Sequence, residues 1–152
     1  MINQMQAAYV RIVRKVKGKS DGESVKAKDI VHESIEKFLS KFSEEAGIVE
    51  ATRKLYTTTI KTYKVPNSMI AETAKDGANL LFEKFGKTAC NEIFLIFSSA
   101  IIHYFGLKED TLAKSIAEDA SSFFSDHECP EQITKITEVL QDPRSKSDFK
   151  MF

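Results

Sequence analysis

The chain has 152 residues, 22 Lys+Arg balanced by 22 Asp+Glu, 42% hydrophobic content and only two cysteines. That length fits one domain able to bury about two-thirds of its unfolded surface, so folding requires neither disulfide nor metal. The composition excludes a disordered chain and a disulfide scaffold, and zero net charge argues against a strongly basic nucleic-acid binder.

The charge is nevertheless divided. Residues 1–65 carry 13 bases and 8 acids, whereas residues 66–152 carry 9 bases and 14 acids. Such a division favours head-to-tail self-association or a basic face meeting an anionic partner; it is equally the pattern of ordinary solvated helix faces.

In chain order, Asn3–Lys17 predicts a short amphipathic helix. Ile2, Met5, Tyr9, Ile12, Val13 and Val16 follow the i, i+3, i+4, i+7 spacing. Arg11, Arg14, Lys15, Lys17 and Lys19 make the other side basic, a candidate face for nucleic-acid phosphates, an anionic membrane or a partner's groove. Gly18–Ser24 is a loop by composition. A second helix is expected from an N-cap at Asp29, with Val31, Ile35, Phe38, Leu39, Phe42 and Ala46 on its apolar stripe. Beyond Gly47 the stripe continues through Val49, Tyr56, Ile60 and Tyr63, as one bent helix or two. Within it, Leu55–Val65 is rich in Thr and Tyr, which carry strand propensity. Its alternation is poor, so helix is the expected state, with a small β insertion as the alternative. Arg53, Lys54, Lys61 and Lys64 form a second basic group.

Pro66 breaks the chain. A helix over Met69–Phe85 follows, stopped by Gly86. The segment around residues 88–105 is apolar on almost every side of a helical wheel, so it must be surrounded. It is the expected central helix, closed by Gly106. Glu92, Ser99 and His103 fall on one stripe about 40° wide, its only obvious exit to water. That stripe, with Asn91 and Ser98, argues against a membrane span despite a length near the minimum of about 18 apolar residues. Two more helices are expected, from Asp110 or Thr111 and from Pro130, the latter ending at Asp142–Pro143. The pattern is all-α: a single-domain bundle of six or seven helices over residues 1–142, with a tail at 143–152.

Chemical motifs are sparse. Gly86-Lys87-Thr88 has the end of a phosphate-binding loop, but position 81 is Leu where Gly is needed, and a helix precedes it. His127 and Cys129 share a turn without the spacing of a zinc site, so no metal or other cofactor is expected. Ser99 and His103 are i,i+4 on one face, yet mid-helix amides cannot supply an oxyanion hole, and no enzyme is expected. Cys90 reads as a small buried hydrophobe; free thiols without a signal peptide suggest the cytoplasm.

Eleven Phe and no Trp, with seven Phe between Phe82 and Phe124, allow either a filled aromatic core or an apolar ligand pocket. Glu92, Ser98, Ser99, His103, Phe94 and Phe97 are the candidate pocket or polar seam. In the tail, Phe149, Met151 and Phe152 suit insertion into a partner or neighbouring subunit, or folding back on the domain. The function expected is a non-enzymatic interaction protein (adapter, regulator or small subunit) that self-associates. A sensor of a lipid-like ligand and a nucleic-acid accessory subunit are the alternatives.

Overall fold

The computed structural model describes residues 4–18, 24–63 and 68–141. Among them the chain forms seven α-helices and no strand: α1 Gln4–Gly18, α2 Ser24–Phe42, α3 Ile48–Thr62, α4 Ser68–Phe85, α5 Cys90–Gly106, α6 Asp110–Asp126 and α7 Pro130–Gln141. A 3-10 turn, Gly86–Ala89, joins α4 to α5.

Most expected boundaries stand, with two corrections. First, α2 runs from Ser24 to Phe42, so Asp29 is inside the helix and is not its cap, and Ala46 lies exposed beyond its end. Second, α5 runs to Gly106 but reverses at Lys108, which has φ +63°, and the Glu109 N–H bonds back to the Tyr104 carbonyl at 2.9 Å. The left-handed closure usual for glycine is here carried by lysine. Gly47 does separate two helices: at φ +81° it adopts a conformation L side chains rarely take.

The ambiguous Leu55–Val65 stretch is helical through Thr62. Its threonines are accommodated because their hydroxyls donate to helix carbonyls: Thr57 to Lys54 at 3.1 Å, Thr59 to Leu55 at 2.8 Å, Thr62 to Thr59 at 2.6 Å. A buried hydroxyl satisfied within its own helix removes the main objection to Thr there.

The helices pack in tiers. α1 lies on α2 and α3, α2 on α3 and α4, α5 on α3, α4, α6 and α7, and α6 on α7. Every side chain from Ile93 to Ile101 is buried, so α5 is the central helix its sequence required. By length and composition Met69–Gly106 is apolar enough to cross a membrane, with 67% of its most apolar window buried inside the bundle. One close approach sets the α3–α4 spacing. A Cβ at Gly77 would stand 2.8 Å from Tyr56 Cγ, so only glycine lets the ring lie there.

Cys90, at the start of α5, is disulfide-bonded to Cys129 in the α6–α7 turn. The free-thiol reading of Cys90 is therefore corrected. The two residues lie 39 apart in sequence, and the antiparallel return of α6 against α5 brings them together.

Candidate functional site

The Glu92–Ser99–His103 stripe is turned to α3 and leaves Glu92 and His103 only partly exposed. Arg53 of α3 is buried, 1% exposed, and its Nε donates to Glu92 Oε1 at 3.4 Å. At the other end, His103 Nε2 is 2.6 Å from the Tyr63 carbonyl. A carbonyl only accepts, so this nitrogen carries the proton and the imidazole caps the C-terminal end of α3. Ser99, on the same stripe, and Ser98, about 100° round the helix from it, are buried at 3% and 0% exposure. Their hydroxyls, and that of Thr52 on α3, have no hydrogen-bond partner among the described residues. The expected exit to water is thus a polar interface between two helices. Nothing in the spacing of α5 alone reveals that, because the complementary groups come from α3.

Phe94 and Phe97 stand apart from this seam. Phe97 packs against Phe123 and Phe124, each at 5.8 Å between centroids, in an aromatic cluster completed by Phe82 and His127. Phe94 lies under the Lys135 ammonium, 5.7 Å from the ring centroid. His127 donates Nδ1–H to the Phe123 carbonyl at 2.8 Å and stacks on the Phe123 ring. Among the described residues no group of three His, Cys, Asp or Glu is arranged to hold a metal ion.

A second polar constellation joins α2, α3 and α4. His32 Nδ1 bonds to Asp76, His32 Nε2 lies 2.6 Å from Glu36, and the Tyr56 hydroxyl donates to Asp76 at 3.0 Å. With a carboxylate at each nitrogen, both are donors and the ring is an imidazolium. Burial works against that charge, but Asp76 and then Glu36 outweigh it, raising the pKa above its ordinary value. Burial and Asp76 likewise drive the Tyr56 hydroxyl far above the usual phenol range. His32 and Asp76 are 44 residues apart, and no sequence motif links them.

The basic groups divide. Arg11 and Arg14 are exposed on α1. The side chains of Lys15 and Lys17, and the whole of Lys19, Lys64, Phe149, Met151 and Phe152, lie outside the described residues. In the second group, buried Arg53 is turned to Glu92 and Lys54 pairs with Glu50 at 3.2 Å, while Lys61 is exposed.

Two surface grooves flank α1. One, about 330 Å³, has a floor of Ala8, Ile12, Phe38 and Phe42 bordered by Arg11, Lys37 and Lys41. The other, of similar size, lies between α1 and α3, lined by Met5, Tyr9, Gly47, Glu50, Ala51 and Lys54. Comparison with protein families, characterised proteins and solved structures finds no match to the chain.

Proposed function

We propose that this protein is a non-enzymatic helical association module, an adapter or small subunit that assembles with further copies of itself. One observation carries the reading: the groove between α1 and α2, an apolar floor bordered by Arg11, Lys37 and Lys41, with no acid among the described residues that line it. Ligands and partners favour such apolar floors with few polar groups at the edge. The groove belongs to the basic part of the chain, and residues 66–152 carry the balancing acidic excess. Opposed surfaces of that kind steer like molecules together. Light scattering behind size exclusion tests the reading. The expected mass at low salt is above the 17.1 kDa of one chain. A constant single-chain mass at every concentration would sink it.

A further inference from the structure

His32 joins α2 to α4 through a proton. Its Nδ1–H is donated to Asp76 Oδ2 of α4, which also accepts the Tyr56 hydroxyl of α3 at 3.0 Å. Its Nε2–H is donated to Glu36 Oε1, one turn further along α2, at 2.6 Å. Asp76 is thus held from two sides, whereas Glu36 is 52% exposed. A ring that loses a proton has one N–H left for two carboxylates. The anchored Asp76 retains it, Glu36 turns to water, and the ion pair between α2 and α4 becomes a bond to a neutral imidazole.

Other described charges on the neighbouring helices have other partners. On α4, Lys75 pairs with Asp119 of α6, and Glu72 lies towards Tyr104 of α5. On α3, Arg53 is turned to Glu92 and Lys54 to Glu50, so Tyr56 is the group that faces Asp76. Burial and Asp76 keep that hydroxyl protonated far above the phenol range. On α2 itself Glu33 is exposed, about 100° round from His32. α1, with Arg11, meets α2 at Ser34, Lys37, Phe38 and Lys41, about 140–240° round from the imidazole. The side chains of Lys28 and Asp29, one turn before it, lie outside the described residues.

The α1–α2 pair is also thinly buried. Its described core side chains are Ile12 of α1 and Ile35, Phe38, Leu39 and Phe42 of α2, against an unbroken buried run from Ile93 to Ile101 in α5. Elements that bury little apolar surface open at lower free energy than the whole chain. The turn leading to α3 ends at Gly47, where φ is +81° and a Cβ would meet nothing.

We propose that His32 is a proton-operated latch. Protonated, it holds the α1–α2 pair on α3 and α4; deprotonated, it lets that pair open about the Gly47 turn while the rest of the bundle stays folded. Opening uncovers Ile35 and Leu39, both buried in the closed form. The device works whether or not the chain self-associates. Asp76 and Glu36 outweigh burial and set the change above the ordinary histidine value of 6.5, so opening increases as pH rises. The His32 and Asp76 side chains are 33% and 24% exposed, so the charge on this pair is worth about a two- to fivefold change in opening.

Amide hydrogen exchange of the full chain, with each rate divided by its intrinsic value at that pH, tests the latch. Protection over Ile35–Phe42 should be lower than over Ile93–Ile101 and less sensitive to dilute urea. Between pH 6 and pH 9 it should fall about two- to fivefold in the parent. In His32→Gln it should not change with pH. Circular dichroism checks the helices, and if that variant is perturbed Asp76→Asn carries the same comparison.

Equal protection and equal urea dependence in α2 and α5 would overturn the proposal, because α2 would then open only with the whole chain. Protection of α2 that is flat with pH in the parent would overturn it too. So would a pH dependence that survives in the variant, since the titrating group would then be another.

Discussion

Arg53 of α3 and Glu92 of α5 are joined across the central interface of the bundle, Nε to Oε1 at 3.4 Å, with Arg53 only 1% exposed. Glu50 stands 4.0 Å from the same guanidinium on the solvent side. A buried cation is tolerated because carboxylates are fixed beside it; removing the nearer one weakens that compensation.

Glu92→Ala is therefore expected to cost about 2–3 kcal/mol in urea unfolding, below the usual range for a buried pair because Glu92 is partly exposed. Arg53→Met/Glu92→Ala should cost less than Glu92→Ala alone, since the buried cation is removed together with its nearer carboxylate. A double variant less stable than the single one would contradict this account of the interface.

The unpartnered hydroxyls of Ser98 and Ser99 discriminate between a closed seam and a ligand pocket. Each buried hydroxyl without a partner costs roughly 1–3 kcal/mol, so Ser98→Ala and Ser99→Ala should each raise stability by about 1 kcal/mol. A loss of similar size in either would mean that the hydroxyl has a partner, and would favour a ligand at the seam.

His32 makes stability depend on pH in a defined direction. Its folded pKa is raised, so its contribution is full below the unfolded value and is lost as pH rises through the folded one. Comparing the parent with His32→Gln, the stability difference should be larger near pH 6 than near pH 9. A difference that widens towards pH 9 would contradict the doubly paired imidazolium.

The Cys90–Cys129 link closes a loop with a sequence separation of 39. By chain entropy that is worth about 4 kcal/mol, so a non-thiol reductant should lower the urea midpoint, and Cys90→Ala/Cys129→Ala should be insensitive to it. In a reducing compartment the pair would stand as two thiols. Alkylation before reduction, followed by intact mass, reads the state directly: two added labels would refute the bond.

The parts of the fold legible in the sequence are those set by local chemistry. Pro130 opens α7, Gly47 divides α2 from α3, and an all-round apolar run becomes the buried α5. What was not legible depends on pairing between distant segments. The polarity of Glu92 and His103 is plain in the sequence, but not that Arg53 and the Tyr63 carbonyl meet them. The same holds for Cys129 beside Cys90 and for Asp76 beside His32. Asp29 misled because a capping residue inside a helix has the same letter as one at its end.

The most direct test of the central claim is sedimentation velocity of the unmodified chain over a concentration series at low and high salt. Association through oppositely charged surfaces predicts a weight-average mass above 17.1 kDa that rises with concentration and falls as salt is added. A mass fixed at 17.1 kDa across the series would contradict it.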